Sequence, residues 1–120
     1  MMGRRLVKVM SDYLCGWPLW VDGGGVVGDS FAHERGLSAE LRRDLIGVQA
    51  FFEERFHWDS GWRDAGDDAR YAHQLVDVFL RLGRELGDGW VVELDLWPVT
   101  DEAILRPLRR QGILSSRDGR

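Results

Sequence analysis

The chain has 120 residues, 44% hydrophobic and 30% charged, the size and make-up of one globular domain rather than two. Twenty Asp and Glu against sixteen Lys and Arg give a net charge of −4, which argues against non-specific binding of DNA or RNA, because that depends on neutralising phosphates. One cysteine, Cys15, leaves no internal disulfide and no cysteine-based zinc site, and no stretch of sequence approaches a membrane span.

The charge is unevenly placed. Residues 1–10 are basic through Arg4, Arg5 and Lys8, and the tail, 98–120, has five Arg against three acids. The body, 11–97, carries seventeen acids against eight Arg, a balance of −9. Such a body suits a basic partner, and it also keeps a protein soluble. Six Trp are more than a domain this small easily hides. Trp is a large core residue and also an over-represented anchor at interfaces.

In chain order, Met1 to Arg5 lead into an apolar run broken by Lys8. That run is too short for the apolar region of a signal peptide, so a cytoplasmic protein is expected. Leu6–Met10 reads as a short strand. Pro18–Val21 and Val26–Val27 flank Asp22-Gly23-Gly24-Gly25, and apolar runs around Asp-Gly-Gly predict a hairpin. The glycines lack the Lys-Ser/Thr of a P-loop and the spacing of a dinucleotide fingerprint.

Ser38 is a helix cap, with Glu40 in the first turn. Leu41, Leu45, Val48, Phe52 and Phe56 then recur at steps of four, three, four and four, so a helix is predicted over about 38–57. Ser60-Gly61-Trp62 is a linker. Asp64 or Asp67 caps a second helix, about 65–86, whose stripe is Ala72, Leu75, Phe79, Leu82 and Leu86. Gly87 stops it. A short link between two such helices implies an antiparallel hairpin.

Trp90 to Trp97 alternates with period two: Trp90, Val92, Leu94 and Leu96 on one face, Val91, Glu93, Asp95 and Trp97 on the other. Pro98 ends that strand. In the tail, Pro107 interrupts any helix, and the last six residues read as disordered.

The order predicts an α+β domain over 6–97. A small three- or four-stranded sheet (β-hairpin, αα-hairpin, then a final strand) carries two antiparallel helices on one face. One strand between the first strand and the helices makes the first and last strands parallel; two make them antiparallel. Leu6, Met10, Val91 and Trp97 would leave the outer face too apolar for water. Ile104, Leu105 and Leu108 of the tail, or a second copy, should cover it, so the chain is expected to be a monomer or a weak homodimer.

Chemistry is sparsely signalled. Asp12 follows the first strand and can act as a base, though Asp in a turn more often bonds its own backbone. Cys15 needs a histidine or another cause of a lowered pKa to be a nucleophile, and the sequence places none of His33, His57 and His73 beside it. His57 with Asp59, and His73 with Asp77, are pairs, short of the three protein ligands a zinc site takes. No metal or cofactor is expected.

The run Asp12-Tyr13-x-Cys15-x-x-Pro18-Leu19-Trp20, with Leu37-Ser38-x-Glu40-Leu41 and Leu82-x-x-Glu85-Leu86, resembles a family of small uncharacterised proteins of high-GC bacteria. The likeness covers roughly residues 6–97 and implies no activity. Some of that family's members are similar to immunity proteins of toxin systems in size and acidity.

Two functional expectations follow. The first is a small acidic protein-binding module, an immunity- or antitoxin-type inhibitor of a basic partner protein, with Trp17, Trp20 and Trp97 as contacts and Asp22, Glu93 and Asp95 around them. The second is a small enzyme or ligand-binding protein with its site at the end of the first strand, using Asp12, Tyr13, Cys15 and His33. Neither involves nucleic acid or a membrane.

Overall fold

Two helices with matched apolar stripes and a strand pair with period-two alternation dictate most of the architecture. The computed structural model describes residues 5–13, 15–21, 25–26 and 28–114. The predicted turn at Asp22-Gly23-Gly24, Val27 and the last six residues lie outside them. The elements are β1 Arg5–Val9, β2 Leu19–Val21, β3 Gly25–Val26, α1 Asp29–Arg35, α2 Ala39–Arg55, β4 Phe56–His57, β5 Gly61–Trp62, α3 Asp67–Leu86, β6 Trp90–Leu94 and α4 Glu102–Arg110.

Among the described residues the main sheet has the order β3-β2-β1-β6, and β4 with β5 forms a separate two-stranded ribbon. The fold is α+β, as the sequence implies. Register fixes the facing. Val7 is level with Val21 and Val92, and Val9 with Leu19 and Leu94. These residues meet Leu41, Leu45, Val48 and Phe52 of α2 and Leu75, Val78 and Leu82 of α3 in one core. A buried Leu or Val contributes about 1.5–3 kcal/mol over an exposed one, so this layer is the main source of stability.

The helical pair is antiparallel, and its open end is tied. Ser38 accepts from the Leu41 N–H at 3.1 Å, the expected cap. Its own N–H and hydroxyl both donate to Glu85 near the end of α3, at 2.7 and 2.8 Å. Gly87, at φ 78°, closes α3 as predicted.

Several expectations need correction. Neither Asp64 nor Asp67 caps α3. The cap position is Gly66 at φ 87°, a left-handed conformation that glycine adopts without strain. Asp67 is instead buried at the helix start, accepting from the Asp64 N–H at 2.9 Å and pairing with Arg70 at 3.0 Å. Gly61 and Trp62 of the expected linker form half of the β4–β5 ribbon, because Phe56 leaves the helix and pairs with Trp62.

β1 and β6 run parallel although two strands precede the helices. The cause is α1, which turns the chain once more. Its seven residues hold only Phe31 and Ala32 as apolar members, too few for a periodic signal. Pro107 does not interrupt α4 but sits inside it. A proline there removes one internal bond; the Asp101 cap, accepting from the Ala103 N–H at 2.9 Å, and the burial of Leu105 hold the helix.

Trp97 is not on the outer sheet face. β6 ends at Leu94, and Trp97 swings to the helix side, 5.8 Å from the Phe52 ring and 5.9 Å from Phe56. The tail packs: Leu105 and Leu114 are buried in the same core, with Ile104, Leu108 and Ile113 against it.

Candidate functional site: an acidic aromatic pole

The carboxyl ends of β1 and β6 point the same way, and the chain leaving each carries polar and aromatic groups to one end of the molecule. Asp12 and Tyr13 leave β1; Asp95 and Trp97 leave β6. The end of α2 arrives there too, because α2 starts at the opposite end beside Glu85. It brings Phe52 and Glu53, and Phe56 follows.

Tyr13, Phe52, Phe56 and Trp97 form one ring cluster, every pair within 6.4 Å between centroids. Trp62 and Tyr71 continue it inward, 5.1 Å from Phe56 and 6.0 Å from Phe52 respectively. The inner members are buried or half-buried. Tyr13 at 38% and Trp97 at 42% exposure show their rings to solvent. Beyond them the β4–β5 turn presents Trp58, 74% exposed and stacked on His57 at 5.7 Å.

Carboxylates ring this surface. Asp12 accepts from the Tyr13 N–H at 2.7 Å, the backbone bond expected of a turn aspartate. The Gln49 amide bridges the Asp12 carbonyl and the Glu53 carboxylate, both at 2.8 Å. Asp95 accepts from the Trp97 N–H at 2.9 Å. Asp59 follows Trp58, its carboxylate 3.7 Å from the His57 ring. The nearby cations are largely committed: Arg55 to Asp64 at 2.9 Å, Arg70 to Asp67.

Burial and the adjacent Asp12 carboxylate push the Tyr13 phenol up. Burial alone dominates at Tyr71, raised to about 12, whose hydroxyl donates to the Trp97 carbonyl at 3.4 Å. Cys15 is buried, and its thiol is pushed up by that burial and by Asp12 and Glu53. Activation requires the opposite shift. Among the described residues no three His, Cys, Asp or Glu gather as a metal site.

The structure sorts the sequence-derived candidates by place. Asp12, Tyr13, Cys15, Asp95 and Trp97 come together at the pole, so the two candidate sets merge there. Trp17 is buried. Trp20 is half-buried on the outer sheet face, level with Lys8, and its indole N–H donates to the Met10 carbonyl at 3.0 Å. Glu93 is level with the same Lys8 from the other side. His33 is exposed on α1, whose Phe31 and Arg35 pack on Trp90, at the opposite end of the β1–β6 pair from Cys15. Asp22 lies outside the described residues. Trp58 escaped the sequence reading. The signal for Trp58 was a tryptophan between two helices that belongs to neither apolar stripe.

The family model described as Serratia CdiI immunity protein-like matches residues 5–95. No curated protein and no solved structure matches the chain.

Proposed function

We propose an immunity role for this chain, which belongs to the Serratia CdiI immunity protein-like family. It binds a protein toxin in the cytoplasm of the cell that makes it and holds that toxin inactive. The family match over 5–95 is the observation that carries the reading. No helix among the described residues is long and apolar enough to cross a membrane.

The geometry gives the reading a surface. A binding face gains most from a few rigid aromatic anchors in a desolvated centre, with charge around them to steer encounter. Trp97 and Tyr13 rest on Phe52 and Phe56, so they lose little freedom when a partner covers them. Asp12, Glu53, Asp59 and Asp95 supply the charged rim, which selects a basic partner. A nucleophilic enzyme is the weaker reading, because the Cys15 thiol is raised rather than lowered.

The test is neutralisation. A candidate toxin, sought first among the genes adjacent to this one, is expressed with and without it, and growth is followed. Protection by the parent chain is expected. Its loss, or a marked reduction, is expected when Tyr13 and Trp97 are both changed to Ala, which should weaken the complex by about 2 kcal/mol or more, roughly 30-fold. Killing that is unchanged by the parent chain contradicts the reading.

A further inference from the structure

α4 lies beyond the stretch the family model matches, which ends at residue 95. Yet it builds one wall of a cleft of about 560 Å³. Met10, Asp95 and Trp97 line the cleft from the strand ends; Leu105, Glu102 and Arg109 line it from α4.

The lining is complementary to one chemical group. Trp97 offers a partly exposed indole, held by its contacts with Tyr13, Phe52 and Phe56. The Asp95 carboxylate accepts the Trp97 N–H and has no cationic partner among the described residues. The other charges in the cleft balance each other: Arg109 donates two bonds to Glu102, at 2.8 and 3.0 Å. Met10 and Leu105 leave an apolar wall.

A guanidinium fits all three features. It stacks on an indole, pairs with a carboxylate through its planar fork, and lays its aliphatic stem along apolar side chains. An ammonium lacks the fork and the flat face. We propose that this cleft is a slot for an arginine side chain of the partner. The slot is a feature by which this chain selects its partner. The proposal rests on the immunity reading only for the partner being a toxin.

The peptide acetyl-Leu-Arg-Leu-amide is titrated into the isotope-labelled full chain, with NMR detection, beside its lysine and citrulline analogues. Saturable shifts of the Trp97 indole N–H, the Asp95 amide and the Met10 methyl are expected, with millimolar affinity for the arginine peptide. Lysine should bind several-fold more weakly, and neutral citrulline at least about tenfold. Asp95→Asn retains an oxygen for the Trp97 N–H, so the fold should persist while arginine affinity falls at least about fivefold.

Shifts that stay linear to about 20 mM overturn the slot. So does citrulline binding as well as arginine, or an Asp95→Asn chain that folds and titrates like the parent. Neutralisation without peptide binding refutes the slot and leaves the immunity reading standing. Peptide binding without neutralisation does the reverse.

Discussion

Tyr13, Trp58 and Trp97 stand out because each shows a large apolar ring to water at the same acidic end. Trp58, the most exposed of the three, has little to lose in the folded monomer. Trp58→Ala should leave the melting temperature within about two degrees, since exposed substitutions stay within about 0.5 kcal/mol. If the ribbon joins the interface, the same change should weaken toxin binding by about 1–2 kcal/mol. A variant that melts early while binding normally would assign Trp58 to the fold instead.

Cys15 makes the opposite case. Burial and two carboxylates keep it a thiol, so iodoacetamide at pH 8 should label it at least about tenfold more slowly than a free cysteine, and fully only in denaturant. The sign carries over to stability. A thiol raised by folding adds stability that is complete below the unfolded pKa and is lost as pH climbs through the folded one. Rapid native labelling would restore the nucleophile reading.

At the scale of elements, what the sequence showed was what repeats. Leu41 to Phe52 and Ala72 to Leu82 sit at helical spacing, and Trp90 to Leu94 alternates, so α2, α3 and β6 were legible. α1 and α4 were not. Each is short, and each is held by tertiary contact: Phe31 on Trp90, Leu105 in the core. The pole was legible only in pieces. In the sequence Asp12 and Tyr13 belong to one candidate site and Asp95 and Trp97 to another, because only the parallel pairing of β1 and β6 puts the two strand ends side by side.

The Ser38–Glu85 tie joins two of the segments on which the sequence resemblance was built. Ser38→Ala removes both the cap and one bond to Glu85 and should cost about 1–2 kcal/mol. Glu85→Gln should cost less, since an amide oxygen still accepts one of the two bonds. A double-mutant cycle should show positive coupling, measured by urea unfolding. Additive losses would mean that the carboxylate and the cap act independently.

For the whole molecule, the tail is part of the core rather than an appendage. Removing residues 99–120 strips Leu105 and Leu114 from it and bares the apolar groups beneath. A loss of about 4 kcal/mol or more is expected from two buried leucines and their half-buried neighbours, with self-association where Leu96 and Met10 become exposed. An unchanged melting temperature and a monomer in solution would contradict the packing of α4. The acidic body also predicts an on-rate that falls steeply with salt, because steering charges are screened within about 8–10 Å at physiological ionic strength.

The central proposal is that this chain holds a basic toxin at the pole formed by Tyr13 and Trp97. The most direct measurement is calorimetric titration of the purified full chain with the toxic domain of a candidate partner that it is found to neutralise. A 1:1 complex of nanomolar affinity is predicted, about 12 kcal/mol. It should weaken at least about 30-fold on changing Tyr13 and Trp97 together to Ala, and remain unaltered by His33→Ala at the far end. Absence of binding, or equal affinity for the parent and the double variant, would contradict it.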